Sequence, residues 1–501
     1  MRYSMTTTTL RSRIALALVL ILVAGTAAAQ RTDPRAPRDP AVAALRRDLP
    51  TWMDQGGVPG LSIAVLRNGK TEWIGSFGVA DKATGRPVNE HTRFSAASLS
   101  KTVFTYAVLK LVDQGKLDLD APLTRYVASP VTNDPRVERI TARIALSHRT
   151  GFPNWRPRGG DLKIFFTPGE RFSYSGEGIV YLQHAVEAIE GKPLEQVMRE
   201  LVFQPLGMTE SSYTWQPATA AVAATGYNAN GGTFSLATTA DTVRSNAAAS
   251  FNTTARDYAR FLEAVLNGRG LQPATLRAME TPQVAVDPTC TNCLNHAPDS
   301  LSKTLFWGLG WGIEQTPTGK YLWHWGDNGV FMAFVAVDLG NRSAVVMFDN
   351  SDTGLSVAPA VVQTVLGGEH PSFGWLAYDT YDSPALRFAR ALAARGATAA
   401  MQEFAAELKS GAISEGAVNS AGYRLLRSGR VPDAVMLFER NVALHPSSAN
   451  VYDSLGEAYA AAGDTTRAIA NYEKVLLLDP ANGGAKAALA KLRGGAPASA
   501  P

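Results

Sequence analysis

Apolar and polar positions alternate or recur with helical spacing along most of the chain, and these patterns predict its elements. Short alternating apolar runs are typical of strands, and apolar residues recurring every three to four positions are typical of amphipathic helices. Asn68 and Gly69, a dipeptide that favours a tight hairpin turn, separate the first two strand-like runs. The predicted strands are 61–67, 70–80, 307–314, 321–326, 331–338 and 343–349, and the predicted helices are 41–54, 102–114, 178–190 and 357–366.

Strands therefore lie at both ends of one segment, with helical sequence from residue 98 to about residue 230 between them. This order predicts an α/β fold, in which an antiparallel sheet built from both ends of the segment is flanked by helices and carries an inserted helical subdomain. We expect this domain to span residues 42–368. Clefts between two such subdomains are favoured places for small-molecule sites.

The pattern changes beyond residue 368. Residues 369–383 break the periodicity and are interpreted as a linker, and residues 384–495 are Ala-rich and predict an all-α domain. A shift of 34 residues aligns Gly422 with Gly456, Gly429 with Gly463, Ala434 with Ala468, Phe438 with Tyr472, and Pro446 with Pro480. This register resembles the tetratricopeptide repeat and implies two repeats in 415–482, a degenerate one around Ala400 and Phe404, and a capping helix at 485–492.

Residues 1–29 have the layout of a secretory signal. Arg2, Arg11 and Arg13 precede the apolar run 14–24, and alanines precede Gln30. We expect cleavage after Ala29, which predicts a secreted or periplasmic protein, with a retained anchor as the alternative. The apolar run is shorter than the roughly 17–25 residues of a membrane span, so no integral span is expected after cleavage.

Cys290 and Cys293 are the only cysteines of the chain. In an exported protein this spacing favours a local disulfide. A metal site that includes the nearby His296 is the alternative that we favour less. The formal net charge of +4 is spread along the chain and indicates no nucleic-acid partner. We expect no metal and no organic cofactor.

Candidate chemistry begins with Ser98-Leu99-Ser100-Lys101, an S-x-x-K motif at the start of a predicted helix. Residues three apart share a helix face, so Lys101 can reach the Ser98 hydroxyl. A desolvated lysine can accept the proton of such a hydroxyl. The same tetrapeptide recurs from Ser300 to Lys303, but in irregular sequence leading into a strand, where residues three apart point to opposite faces. We therefore assign the nucleophile to Ser98.

Three further motifs follow Ser98 in order: Leu-Ser-His-Arg-Thr-Gly at 146–151, Tyr174-Ser175-Gly176, and His-Trp-Gly-Asp at 324–327. The ordered set resembles the family of class C β-lactamases, D-alanyl-D-alanine carboxypeptidases and related esterases. The resemblance covers about residues 42–368. It implies a serine hydrolase with the β-lactamase/transpeptidase-like fold.

The resemblance also implies a role for each matching residue. Ser98 would form the acyl-enzyme, and Lys101 would hold the proton network. Tyr174 would be the general base toward the nucleophile and the acid toward the leaving group. His324 would replace the lysine of the K-T-G motif, and the backbone N–H groups of Ser98 and Asp327 would form the oxyanion hole. His148, inside the second motif, is expected to be structural.

Gly176, Trp325 and Gly326 would border the substrate. The family's tyrosine motif is usually Y-x-N, and its asparagine resembles a group that holds an acylamino carbonyl. Gly176 offers no side chain for this, which favours an ester or another peptide-like substrate over efficient β-lactam hydrolysis. Trp325 could narrow the site or provide a stacking surface. Residues 287–303 could overhang the cleft, or form a passive surface loop.

We therefore expect a secreted serine hydrolase acting on an ester, a D-amino-acid peptide or a β-lactam-like substrate. The alternative is a non-catalytic sensor or scaffold whose repeat module binds a partner protein. Such repeats can equally pair two copies of the chain. Intact Ser98, Lys101, Tyr174 and His324 favour catalysis.

Overall fold

The computed structural model describes residues 39–215, 219–228, 232–235 and 245–494. The secretory signal predicted for residues 1–29 lies outside the described residues. Within the described ranges, no helix is long and apolar enough to cross a lipid bilayer.

The described strands form one large sheet and two small ones. They are β1 (Gly60–Arg67), β2 (Lys70–Asp81), β3 (Arg86–Pro87), β4 (Phe94–Ser95), β5 (Thr225–Tyr227), β6 (Thr233–Ser235), β7 (Asn252–Thr253), β8 (Val284–Ala285), β9 (Leu305–Trp307), β10 (Gly312–Thr316), β11 (Gly319–Asp327), β12 (Met332–Asp338) and β13 (Ser343–Asp349). Among the described residues the large sheet has the order β3-β2-β1-β13-β12-β11-β10-β9-β8.

The described helices surround this sheet and continue beyond it. They are α1 (Pro40–Gly56), α2 (Ser100–Asp113), α3 (Ala142–Leu146), α4 (Gly176–Glu190), α5 (Leu194–Met198), α6 (Gln204–Leu206), α7 (Ala255–Leu266), α8 (Pro273–Met279), α9 (Ala358–Val365), α10 (Ser372–Leu376), α11 (Pro384–Arg395), α12 (Ala397–Glu403), α13 (Ala405–Ser410), α14 (Glu415–Arg427), α15 (Val431–Leu444), α16 (Ala449–Ala461), α17 (Thr465–Leu478) and α18 (Gly483–Gly494). Short 3₁₀ turns cover Ala97–Leu99, Leu123–Arg125, Pro135–Arg139 and Gly354–Val357, and a π turn covers Arg199–Phe203.

The sheet is built from both ends of the first domain, which confirms the predicted α/β architecture. β1 pairs antiparallel with β2 on one side and with β13 on the other. The β1–β2 turn has Asn68 at φ 51° and Gly69 at φ 72°, and hairpin turns of type I′ require positive φ at both central positions. The Asn68-Gly69 turn and the pairing of β1 with β2 and β13 therefore both match the predicted sheet.

The run 307–314 does not form the single strand that its pattern predicted. It divides into β9 and β10, joined by a turn through Gly310. Gly310 has φ 72° and donates its N–H to the Leu146 carbonyl at 2.9 Å. Leu309 and Trp311 in the turn are fully buried, so the turn is as apolar as a strand and its sequence pattern cannot distinguish the two.

Two apolar cores cover the two faces of the sheet. One core packs the inserted helices, including α2, against the sheet. The other core packs α1 and α9 against the opposite face. Helix α2 is buried on all sides from Ser100 to Leu109, so its N-terminal end is held firmly beside the sheet.

The segment 369–383, interpreted from sequence as a linker, is a packed part of the first domain. His370 Nδ1 lies 2.7 Å from a carboxylate oxygen of buried Glu314. Trp375 on α10 donates its indole N–H to the Asp287 carbonyl at 2.7 Å, and the Tyr378 hydroxyl donates to the Asp327 carboxylate at 2.7 Å. The segment lacks periodicity because its contacts are with distant strands and loops.

The C-terminal helices repeat at the interval found in the sequence. Helices α14 and α15 begin at residues 415 and 431, and α16 and α17 begin 34 residues after each. Phe438 packs close to Gly422, and Tyr472 packs in the same way close to Gly456. The repeated pairs share one apolar core with α11 to α13 and α18. Assignment of these helices to the tetratricopeptide class stays a prediction.

Candidate active site

Ser98 lies in the 3₁₀ turn that leads directly into α2. Ala97, the residue before it, has φ 46°, a left-handed conformation that non-glycine residues seldom adopt. Gly326 on β11 lies close beside this turn, because a Cβ at position 326 would be only 2.5 Å from the Ala96 carbonyl oxygen. A glycine is therefore needed where the strand passes the turn. Ser98 itself stays half-exposed, so a substrate can reach its hydroxyl.

Lys101 is fully buried one helical turn beyond Ser98. Its Nζ lies 3.0 Å from Ser98 Oγ and donates to the Ala248 carbonyl at 2.7 Å. No carboxylate among the described residues offsets its charge, and burial lowers the pKa of Lys101 to about 7. Near neutral pH the lysine is therefore divided between ammonium and amine. The amine can accept a proton from the serine.

Tyr174 lies over this pair, with its ring centroid 4.9 Å from Lys101 Nζ. Burial raises the pKa of Tyr174 well above its usual value, and the nearby Ser98 hydroxyl opposes the rise only in part. The hydroxyl makes no well-aligned hydrogen bond with any described residue. Tyr174 is therefore a protonated phenol at neutral pH, and its ring lies beside the Lys101 amine.

His148 holds the tyrosine in place. Its carbonyl accepts from the Ser173 N–H at 2.9 Å, and its Nδ1 accepts from the Ser175 N–H at 3.1 Å. The imidazole packs on the Tyr174 ring at a centroid distance of 4.3 Å. Burial, with smaller contributions from Lys101 and His324, lowers the pKa of His148 well below its usual value. A neutral His148 therefore fixes the backbone on both sides of Tyr174.

His324 projects from β11 into the same cluster, with its ring 6.1 Å from that of Tyr174. Burial, and then the nearby Lys101, lower the pKa of His324 to about 3, so the ring is neutral at pH 7. Its Nδ1 lies 2.7 Å from the Trp325 carbonyl, which leaves Nε2 as an acceptor without a partner among the described residues. A neutral imidazole does not supply the positive charge that a lysine would provide at this position.

The backbone of Asp327 faces the serine turn. The Asn328 N–H donates to the Phe331 carbonyl at 3.0 Å, toward β12. Successive residues of a strand direct their N–H groups to opposite edges, so the Asp327 N–H points away from β12. On that side the pairing with β10 has already ended at Trp323. The Asp327 N–H is therefore directed to the region where the Gly326 backbone meets the turn before Ser98.

An aromatic wall borders the cluster on the side of Trp325. The Trp325 ring lies 4.7 Å from that of Tyr174 and 6.0 Å from that of Trp375, and it is nearly buried. The Tyr378 hydroxyl bonds the Asp327 carboxylate at the edge of this wall. Burial raises the pKa of Tyr378 well above its usual value, so its hydroxyl donates this bond.

The loop with the two cysteines touches the backbone of Tyr174. The Cys290 and Cys293 sulfurs form a disulfide with Cα atoms 5.7 Å apart. Thr291, between them, accepts the Tyr174 N–H at 2.9 Å. Exposed His296 lies close enough for its ring nitrogen to approach both sulfurs. Since the sulfurs are bonded to each other, they are not thiolate ligands for a metal.

Sequence reasoning placed Ser98, Lys101, Tyr174 and His324 in one site, and the structure brings their side chains together. Ser300 of the second S-x-x-K copy is exposed and lies outside any helix. Sequence reasoning missed three contributors, which come from segments without a motif: the Ala248 carbonyl, the Thr291 carbonyl and Tyr378. Only the proximity of Thr291 to the cysteine pair offered a signal.

The α/β fold, and a buried lysine beside a partly exposed serine and beneath a tyrosine, define a serine hydrolase family. The family model described as Beta-lactamase matches residues 45–364, and the chain belongs to this family. The matched region ends before the C-terminal helices.

Proteins with several different activities are similar to this chain. The chain is 32% identical over 179 residues to Esterase EstB of Burkholderia gladioli, covering 30% of this chain and 45% of that protein. It is 28% identical over 191 residues to a β-lactamase of Pseudomonas fluorescens, covering 36% of this chain and 52% of that protein. The alignments thus span about half the length of these relatives. The D-alanine carboxypeptidase AmpC of Burkholderia cenocepacia shares the fold, with a TM-score of 0.54, 20% identity, and coverage of 65% of this chain and 99% of that one.

Proposed function

We propose that this protein is a secreted serine hydrolase that forms an acyl-enzyme on Ser98. The observation that carries the proposal is the fully buried Lys101 amine, 3.0 Å from Ser98 Oγ, with a pKa near 7. A serine hydroxyl becomes a good nucleophile only when a neighbouring base takes its proton. Here the base is already half neutral at physiological pH.

In the acylation step Ser98 Oγ bonds to the substrate carbonyl carbon while its proton passes to Lys101. The resulting oxyanion is held by the backbone N–H groups of Ser98 and Asp327. Collapse of the intermediate expels the leaving group, which receives the proton from Lys101 through the Tyr174 hydroxyl. Water then repeats the sequence on the acyl-enzyme and releases the acid.

Proton acceptance is assigned to Lys101 rather than to Tyr174. Burial raises the pKa of Tyr174 and lowers that of Lys101, so the free enzyme holds a phenol and an amine. Tyr174 then serves as a relay and as the proton donor to the leaving group. Neutral His324 contributes an acceptor, not a charge.

The substrate we favour is an ester, with a D-amino-acid peptide second and a β-lactam third. Gly176 lacks a side chain that could hold an acylamino carbonyl. The relatives include an esterase. The decisive experiment compares hydrolysis of p-nitrophenyl butyrate and of a penicillin by the wild type, Ser98→Ala and Ser300→Ala. We expect Ser98-dependent ester hydrolysis, with the matched Ser300→Ala control unaffected.

A second function, protein binding, is favoured by the C-terminal helices, which we propose to be tetratricopeptide repeats. Leu477 and the adjacent Leu478 on α17 are 73% and 37% exposed, and contiguous exposed apolar surface marks protein contacts more than a single exposed residue does. Light scattering of the wild type and Leu477→Lys would test self-association. A higher mass that Leu477→Lys reduces supports pairing of two chains, and a monomer in both directs attention to another partner.

A further inference from the structure

Residues 153–156 are bonded tightly to the N-terminal end of α4, directly after Tyr174. Ser175 Oγ donates to the Pro153 carbonyl at 2.9 Å. The Gly176 N–H donates to Asn154 Oδ1 at 2.9 Å, and the Glu177 N–H donates to the Asn154 carbonyl at 3.1 Å. Arg156 binds the Glu177 carboxylate with two guanidinium nitrogens, at 2.9 and 2.7 Å. This network fixes residues 153–156 against residues 175–177.

The network places the Trp155 indole directly against Gly176. A Cβ at position 176 would lie 2.7 and 2.8 Å from two carbons of that ring and 2.9 Å from the Asn154 carbonyl oxygen. Real Cβ atoms do not approach so closely, so any larger residue at 176 would displace the tryptophan. The position of the Trp155 indole therefore requires a glycine at position 176, where the Y-x-N pattern has asparagine. The indole fills the direction in which a side chain at 176 would point.

Trp155 is 46% exposed although its loop is firmly held. An exposed indole offers a flat apolar surface. Because its loop is already rigid, little conformational entropy is lost when a ligand binds to it. Arg156 beside it is paired with Glu177 and so does not present a free charge. Gly176 is two residues from Tyr174, a chain distance of at most about 7 Å. The indole that packs against Gly176 therefore lies near the backbone of Tyr174, the residue whose ring borders Ser98 and Lys101.

We propose that Trp155 is a specificity-determining residue that binds an aromatic acyl group of the substrate, in the place where an asparagine would bind an acylamino group. This inference rests on the proposed hydrolase function and names its substrate class: esters of arylacetic or similar aromatic acids. The ring of the acyl group stacks on the indole while the ester carbonyl lies at Ser98.

The kinetic test compares p-nitrophenyl phenylacetate with p-nitrophenyl acetate, which share a leaving group. Aromatic stacking and burial make a tenfold loss realistic, so Trp155→Ala should lower kcat/KM for phenylacetate about tenfold and change it for acetate less than about threefold. Trp155→Phe should restore most of the difference. The control is Phe165→Ala, which removes an aromatic residue of similar exposure, 44%, from the same region. It should leave the ratio of the two esters unchanged. Equal losses on both esters, or no loss, would overturn the inference.

A binding test separates this inference from the proposed function. Phenylacetamide and acetamide are titrated into the Ser98→Ala protein, and the indole N–H resonances are followed by NMR. We expect phenylacetamide alone to shift a resonance that is missing in the Ser98→Ala, Trp155→Ala protein. If the wild type hydrolyses no ester but this binding persists, the hydrolase proposal fails and the aromatic subsite stands. If esters are hydrolysed but phenylacetamide leaves that resonance unmoved, the aromatic subsite is wrong.

Discussion

The pH dependence of turnover tests the assignment of Lys101 as the proton acceptor. Burial of the lysine lowers its pKa from 10.5 to about 7. Relative to a lysine in water, this change shifts the balance toward the neutral amine by about 5 kcal/mol. Below pH 7 the ammonium dominates, so the fraction of active enzyme falls about tenfold for each further pH unit. At pH 5 only about 1% of the amine remains.

The other titratable groups of the cluster should not alter this ascending limb of the pH profile. The pKa of His324 is lowered to about 3, and burial raises that of Tyr174 well above its usual value, so neither changes charge between pH 5 and 9. We therefore expect kcat/KM to rise along a single ionisation centred near pH 7 and then to stay level. The assay follows p-nitrophenyl acetate at the isosbestic wavelength of p-nitrophenol.

The Lys101→Arg variant tests whether ionisation of Lys101 produces this rise of kcat/KM with pH. Lys101→Arg keeps a positive charge that cannot be lost in this pH range, and it should lower kcat/KM by about a thousandfold or more at every pH. A flat profile in the wild type, or a limb centred below pH 5, would refute the role of the lysine. Substantial turnover by Lys101→Arg with an unchanged limb would refute it as well.

Three further predictions concern the surroundings of the cluster. Gly176→Asn should lower the stability of the fold by about 1–3 kcal/mol through overpacking against Trp155, and adding Trp155→Gly should restore most of it, as measured by thermal unfolding. Tyr378→Phe removes the hydrogen bond to the Asp327 carboxylate, and it should lower kcat about three- to tenfold with little change in KM, because the adjoining N–H is proposed to hold the oxyanion. Cys290→Ser opens the disulfide loop that holds the tyrosine backbone, and it should lower kcat severalfold, as should reduction of the wild type by dithiothreitol.

Each of these predictions has a matched control. Trp155→Gly alone should not destabilise the fold through crowding, and a fully stable Gly176→Asn would show that the indole moves aside without cost. Tyr381→Phe alters a neighbouring tyrosine that stacks on Trp52, and it should leave kcat unchanged. Equal effects of both tyrosine variants would mean that Tyr378 acts only through packing. Thiol titration verifies that dithiothreitol has reduced the disulfide. If kcat of the wild type is then unchanged, the disulfide loop does not contribute to catalysis.

The parts of the fold that follow local patterns were predictable. The Asn68-Gly69 hairpin and the strands at both ends of the first domain carry their own turn and periodicity signals. The turn through Gly310 was not predictable, because its apolar residues are buried like those of a strand. The order of segment 369–383 was not predictable, because it comes from distant partners such as Glu314 and Asp287.

In the candidate site, too, features that follow local sequence patterns were predictable and features that depend on distant contacts were not. Ser98 and Lys101 could be placed together because three residues along a helix bring side chains to one face. The low pKa of Lys101 depends on burial by the whole inserted subdomain and carries no sequence signal. The presence of Gly176 at the asparagine position was visible in the sequence, but its reason, the Trp155 ring, became visible only in three dimensions.

Mass spectrometry of the purified protein tests whether Ser98 carries the acyl group. The protein is incubated with a fluorophosphonate or a slowly hydrolysed p-nitrophenyl ester, and the adduct is located by peptide mapping. We expect a single adduct on the peptide that contains Ser98, its absence in Ser98→Ala, and its persistence in Ser300→Ala. An adduct on Ser300, or ester turnover that survives in Ser98→Ala, would contradict it.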